Sequence, residues 1–275
     1  MIKSEGFLAV DCGNTRLKAT FLPDDPTSRA GSDAESDPEG GAEVRFFPGD
    51  RSDLLMEWVE QLKERVSLRG ALAVVGKVDV RLAETLRQAL DDNFLAMTPA
   101  TELPIGLAYR TPLTLGLDRK ATACAAVWRF PGQGALVVDA GTALTLDLID
   151  ADGVFVGGNI SPGLRLRFRS LNAFTAKLPL IEEVGEDIPD FGFDTPSAIR
   201  AGVVGGWADE VEGNIRRAML TGVGRVLLTG GDAALLLGML CSRFENELDS
   251  GNLKIEHYPH LLAEGLRAIY RHHEN

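Results

Sequence analysis

Apolar residues along this chain recur in two spacings. Short unbroken runs, such as Gly6-Phe7-Leu8-Ala9-Val10 and Ala135-Leu136-Val137-Val138, end at an aspartate and a nearby glycine. Other stretches space their leucines, valines and alanines three and four apart. The first spacing predicts strands and the second amphipathic helices. Read in order, strands fall at Gly6–Val10, Arg16–Leu22 and Val44–Phe47. A helix follows from Asp53 to Val66, with Leu54, Leu55, Trp58, Val59, Leu62 and Val66 along one face. Next come a buried strand at Ala71–Val75 and a helix at Val80–Leu90.

The second part opens with a helix from Leu117 to Phe130, then strands at Ala135–Asp139, Ala143–Ile149 and Val154–Gly157. Helices are expected at Leu164–Ala173 and, beyond a Gly- and Pro-bearing stretch, at Pro196–Leu220. The long helix holds glycines at 202, 205, 206 and 213, which suggest close approach of another helix or a ligand. A strand at Arg225–Thr229, a helix at Asp232–Cys241, a strand at Leu253–His257 and a helix at Leu261–His272 complete the chain. Three strands, helix, strand, helix thus occurs twice. Asp11-Cys12-Gly13-Asn14-Thr15 and Asp139-Ala140-Gly141-Thr142-Ala143 mark the same place in each copy. The expectation is an α/β protein of two similar halves, residues 1–105 and 106–275, facing one another across a cleft.

Composition narrows the class. Of 275 residues, 45% are hydrophobic and 25% charged, which excludes wholesale disorder, collagen-like repeats and a disulfide mini-scaffold. The net charge of −12 counts against nucleic acid or an anionic membrane as main partner, while a small phosphorylated ligand stays open. Residues 23–43 hold three prolines, seven acids and one arginine, and read as a solvated, locally disordered acidic insert. No apolar run approaches the ~20 residues that span a bilayer, and the N-terminus does not read as a secretory signal. Cys12, Cys124 and Cys241 are widely separated, as reduced thiols of a cytoplasmic protein would be.

The Asp-x-Gly turns are the first candidate site. A glycine lets backbone N–H groups approach a phosphate oxygen, and Asn14, Thr15, Thr142 and Thr145 add short polar donors. Asp11 or Asp139 can hold a cation that offsets triphosphate charge, and Lys18 can reach a phosphate. The competing reading is a plain hairpin turn, since all these are turn residues. Thr229-Gly230-Gly231-Asp232 joins a strand to a helix, where Gly230 and Gly231 leave room for a flat ring or a ribose. Gly157-Gly158-Asn159-Ile160-Ser161-Pro162-Gly163 reads as a second Gly-rich loop, ahead of a helix carrying Arg165, Arg167 and Arg169. Leu115-Gly116-Leu117-Asp118-Arg119 sets a carboxylate beside a guanidinium at a helix start. It is either an ordinary helix cap or a base whose neighbouring cation keeps it ionised and grips an anionic substrate. His257 and His260 lack an evident third metal ligand, and Trp58, Trp128 and Trp207 read as packing residues.

In this order, from Asp11 to Asp232, the motifs resemble those of type III pantothenate kinases, a class within the actin-like superfamily of sugar and acetate kinases. The matching pieces are Asp11-Cys12-Gly13-Asn14-Thr15 with Lys18, Gly116-Leu117-Asp118-Arg119, Asp139 through Thr145, Gly157 through Gly163, Leu178-Pro179 with Thr195, and Thr229-Gly230-Gly231. The resemblance implies two ribonuclease H-like (actin-like) halves, each a mixed sheet with flanking helices. It further implies phosphorylation of pantothenate by ATP at the start of coenzyme A synthesis, with Asp118 as proton acceptor. Asp11, Gly13, Asn14, Thr15, Lys18, Thr142, Thr145, Gly230 and Gly231 are then the ATP contacts. Tyr109, Gly116, Leu117, Asp118, Arg119 and Thr195 are the pantothenate contacts. Asp139 is the ligand of a monovalent cation, potassium or ammonium, beside the magnesium that accompanies ATP. A homodimer is implied as well. Two departures stand out: the long insert at 23–43, and Val74-Val75-Gly76-Lys77-Val78 where the family shows a Ser-Ser-Val-Val-Pro run. Two other readings share the motifs, a kinase for another small hydroxyl substrate and a nucleotide-binding scaffold or regulatory factor without kinase activity.

Overall fold

The computed structural model describes residues 4–13, 16–24, 41–74, 80–91, 93–185 and 188–274. Asn14, Thr15, most of the acidic insert and the segment 75–78 lie outside the described residues. The chain divides into two compact units, residues 1–129 with 260–275, and residues 130–259.

In the first unit β1 (Ser4–Cys12), β2 (Arg16–Pro23) and β3 (Glu43–Pro48) form an antiparallel meander. Helix α1 (Ser52–Arg65) leads into β4 (Val66–Val74), which pairs parallel to β1. Helix α2 (Val80–Leu90) leads into β5 (Phe94–Ala96), parallel to β4, so the strand order is β3-β2-β1-β4-β5. The sheet is covered on both sides, which is why β1 reads as an unbroken apolar run. Leu8, Val10 and Cys12 join Leu55, Trp58, Val59 and Leu62 of α1 and Leu82 and Leu86 of α2 in one core. Phe7 and Ala9 point the other way, into a core with Leu117, Ala121 and Cys124 of α3 (Leu117–Arg129). The last helix, α9 (Leu261–Glu274), adds Leu266, Ile269 and Tyr270 to that core. A two-residue strand, β6 (Gly106–Leu107), precedes α3.

The second unit repeats the plan. A meander of β7 (Ala135–Ala140), β8 (Ala143–Ile149) and β9 (Val154–Pro162) is followed by α4 (Leu164–Phe174). Helices α5 (Thr195–Arg200) and α6 (Gly206–Leu220) precede β10 (Arg225–Thr229). Then come α7 (Ala233–Arg243), α8 (Glu245–Asp249) and β11 (Lys254–His257). β10 pairs parallel to both β7 and β11, giving the order β11-β10-β7-β8-β9, the same connectivity as in the first unit. Leu136, Val138, Leu144 and Leu146 pack with Trp207, Val211 and Ile215 of α6 and Leu236 and Leu240 of α7. The duplicated ribonuclease H-like plan read from the sequence is therefore present.

Three local expectations change. β9 runs on to Pro162, so Gly157–Pro162 is strand rather than loop, and Gly163 caps α4. The expected helix 196–220 is α5 and α6 joined through a wide π-type segment, Ala201–Gly205. No neighbouring helix accounts for its glycines: a Cβ at 202, 205 or 206 would meet no atom within 4 Å, and one at 213 would meet the Arg217 guanidinium of the same helix at 3.6 Å. Gly202, Gly205 and Gly206 sit at and beside the widened turn, where helix geometry departs from the α form. No helix among the described residues is long and apolar enough to cross a membrane.

Candidate active site

In the first unit, β1 delivers Asp11 to the C-terminal end of its strand, where open α/β sheets bind ligands. The antiparallel register sets Lys18 directly opposite Asp11. Gly13 closes the turn with its N–H on the Arg16 carbonyl at 3.2 Å. Burial raises the Asp11 carboxyl to about 6, the negative charge of Asp118 adds to the rise, and Lys18 opposes it. Asp11, Lys18 and Asp118 are thus one electrostatic group.

Asp118 stands in the first turn of α3, where unsatisfied N–H groups favour a negative charge. Its Oδ1 accepts the Arg119 N–H at 2.8 Å, while Oδ2 accepts no hydrogen bond from a described residue. The carboxylate is folded back over Gly116. A Cβ on residue 116 would lie 2.3 Å from Asp118 Oδ1, so the glycine is what admits this rotamer. The capping and base readings of Asp118 are compatible, because each occupies a different oxygen. The Arg119 side chain is buried and its guanidinium lies over the Tyr109 ring, 5.9 Å from the centroid. Lys120, next in line, is buried with its ammonium donating to the Pro99 carbonyl at 2.7 Å. Leu117 is buried in the helical core behind these groups.

In the second unit, Asp139 holds the place that Asp11 holds in the first, and Thr145 is its cross-strand partner as Lys18 is of Asp11. The Gly141 N–H donates to the Ala143 carbonyl at 3.2 Å, and Gly163 donates to the Thr142 carbonyl at 3.0 Å. The β10–α7 junction closes on the same strand end. Asp232 donates its N–H to the Ala140 carbonyl at 3.0 Å. Gly230 adopts a φ of +96°, and a Cβ there would lie 2.5 Å from Asp139 Oδ1. Asp139, Gly141, Thr142 and Gly230 therefore meet around one turn, with Gly231 next in the chain and exposed. Thr195 stands apart: it opens α5 behind an Asp194–Ser197 capping box, is exposed, and makes no side-chain hydrogen bond to a described residue.

Asp232 is a member of this cluster outside the residues chosen from sequence. Its carboxyl is raised by burial, with Arg165 of α4 pulling the other way. The Gly-Gly-Asp junction carried that signal, but only the fold shows Asp232 turned back to β7. Among the described residues no three His, Cys, Asp or Glu side chains gather as a metal site.

A mixed sheet built twice, with an Asp-x-Gly turn at the same strand end of each copy, is the plan of the actin-like kinases. The family model for type III pantothenate kinase matches residues 7–217. The type III pantothenate kinase of Phocaeicola vulgatus is 43% identical over 197 residues, 70% of this chain and 78% of that protein. That of Azobacteroides pseudotrichonymphae is 33% identical over 264 residues, covering 96% of this chain and 95% of its own. This chain belongs to the type III pantothenate kinase family. Solved structures share the fold at lower identity. A Campylobacter jejuni protein assigned to the Baf family of transcriptional activators aligns over 98% of this chain and 99% of its own, with a TM-score of 0.56 and 20% identity. The activator of 2-hydroxyisocaproyl-CoA dehydratase from Clostridium difficile, solved with bound ADPNP, covers 98% and 95% with a TM-score of 0.50 and 13% identity.

Proposed function

We propose that this chain transfers the γ-phosphoryl group of ATP to the primary hydroxyl of pantothenate, the first step of coenzyme A synthesis, with Asp118 as the proton acceptor. The observation that carries this reading is the state of Asp118: one carboxylate oxygen anchored, the other accepting no hydrogen bond from a described residue, beside Asp11 and Lys18. Phosphoryl transfer asks mostly for positioning and charge stabilisation. An alcohol is far less acidic than a carboxylic acid, so Asp118 takes the proton late, as the new P–O bond forms. Arg119 and Tyr109 supply a fixed cation and a ring for the pantothenate carboxylate and its amide chain. Gly116 and Leu117 shape the wall that carries them.

For ATP the reading uses the turn at Gly13 with Lys18 in the first unit. In the second it uses the turn at Gly141 and Thr142, with Thr145, Gly230 and Gly231. Asn14 and Thr15 belong to the same proposal. Asp11 and Asp139 are each a single carboxylate at a glycine turn. That donor set suits magnesium, which commonly takes one or two carboxylates and completes its shell with phosphates and water. Asp139 is assigned a monovalent cation, potassium or ammonium, whose charge adds to the neutralisation of the triphosphate. Thr195 is assigned to pantothenate, and its exposure in a ligand-free monomer is compatible with a contact made only on assembly.

A homodimer is part of this reading. Ile160, Phe174, Phe191 and Phe193 of the second unit are 64%, 88%, 90% and 87% exposed, large apolar side chains that burial against a second copy would take out of water. Cytoplasmic residence fits three cysteines that form no disulfide, one of them exposed. The test is ADP release by the purified chain with ATP and magnesium, with and without pantothenate, in potassium or sodium salt. Pantothenate-dependent ADP, stimulated by potassium, is expected. ADP release indifferent to pantothenate refutes the substrate.

A further inference from the structure

The second unit contains a cavity of about 250 Å³ between the C-terminal end of α6 and the β8–β9 ladder. Its origin is local. The β8–β9 register pairs Leu148 with Gly157 but Ile149 with Phe155, so Val156 is an extra residue bulged out of the ladder. Gly157 and Gly158 follow with no side chains, and a Cβ at 157 would meet nothing within 4 Å. Leu136, Leu146, Leu148 and Val156 make an apolar floor.

The rim is polar and its hydrogen bonding is lopsided. Asn159 donates its amide to Asn214 Oδ1 at 2.8 Å, and Asn214 spends its own amide on the Glu210 carbonyl at 2.8 Å. The Thr221 hydroxyl donates to the Ala218 carbonyl at 2.7 Å. Arg217, also on the rim, makes no hydrogen bond or ion pair with any described residue. Its neighbour Arg216 is by contrast taken up by Glu212 and Glu247. In a chain of net charge −12, an unneutralised guanidinium beside an apolar hollow selects for an anion with an apolar body.

We propose that this cavity binds a small aliphatic carboxylate, its chain on the leucine floor and its carboxylate on the Arg217 fork. A planar carboxylate matches the guanidinium through paired N–H···O bonds. A compact inorganic phosphate would leave the apolar floor empty. The volume is below the 300–1,000 Å³ of drug-sized sites, which limits the ligand to a short chain. The site is independent of the kinase assignment and is tested without it.

Titration of the purified full-length chain with hexanoate, followed by calorimetry, is the direct experiment. Saturable one-to-one binding is expected. Arg217→Gln should weaken it by about tenfold to a hundredfold, the usual cost of losing hydrogen bonds to a charged group. Val156→Phe, at a half-exposed position, should abolish it by filling the hollow. Both variants should keep the wild-type circular dichroism spectrum and thermal unfolding midpoint, which shows that they fold. Hexanol binding as tightly as hexanoate would overturn the carboxylate assignment, as would hexanoate affinity unchanged in Arg217→Gln. No binding to the wild-type chain, or a change of oligomeric state in both variants by sedimentation, would overturn the site altogether. The last result would make this face a contact between copies.

Discussion

Replacing Asp11 by asparagine should make the ligand-free protein more stable while making it a worse enzyme. The carboxyl is raised from 3.8 to about 6 by burial first and by Asp118 second, with Lys18 opposing. A folded-state value above the unfolded one means that the folded chain binds the extra proton between those two values. Stability therefore falls as pH rises through that window, and the full cost of ionising Asp11 is present above about pH 6. Two units of displacement correspond to about 3 kcal/mol at most. Asn keeps the shape without the charge. Asp11→Asn should thus gain up to about 3 kcal/mol at pH 8, and the gain should shrink to nothing below about pH 4. Urea unfolding of both proteins from pH 4 to pH 8, without nucleotide or divalent cation, measures it. The gain should level off at a lower pH and be smaller in the Asp118→Asn background, which removes the like charge, and level off at a higher pH and be larger in Lys18→Met. A gain that is absent, or equally large at pH 4 and pH 8, would refute the claim that a buried charge is kept here at a cost in stability.

Other consequences follow from single atoms. Gly116→Ala places a methyl 2.3 Å from Asp118 Oδ1, so turnover should fall at least about tenfold with ATP affinity kept; steady-state kinetics decides. Gly230→Ala meets both a φ of +96° and a 2.5 Å contact with Asp139 Oδ1. It should cost about 1–3 kcal/mol of stability and raise the KM for ATP more than that for pantothenate.

Much of this was legible in the chain. β8 falls on its expected residues, and the runs at Phe7 to Val10 and Leu136 to Val138 read as strands because both faces of each are buried. The duplication showed in two Asp-x-Gly turns, and the strand order of each unit carries it through. What stayed hidden has physical causes. β4 begins at Val66, directly after Arg65 ends α1, with no Gly or Pro to mark the change. The second half of β9 looked like a loop because Gly157 and Gly158, which pair with Leu148 and Asp147, are residues typical of turns. The short β5 and α8 carry too few residues to establish a period. That α9, last in the chain, packs against α3 and β1 is a tertiary fact that no local pattern encodes. At the site, residue types and spacing left Asp118 as either a cap or a base, and the family resemblance is what singled it out as the base. The burial that perturbs Asp11, the fold of the Asp118 carboxylate over Gly116 and the place of Asp232 belong to packing, and only coordinates reveal them.

The central claim is that Asp118 accepts the proton of the pantothenate hydroxyl. Single-turnover phosphoryl transfer from ATP, compared between the wild-type chain and Asp118→Asn at saturating pantothenate, tests it most directly. Asn keeps the oxygen that takes the Arg119 N–H and loses only the basic one. The account predicts a transfer rate lower by about 10²–10⁴ with ATP binding retained. A rate within a few-fold of wild type would contradict it.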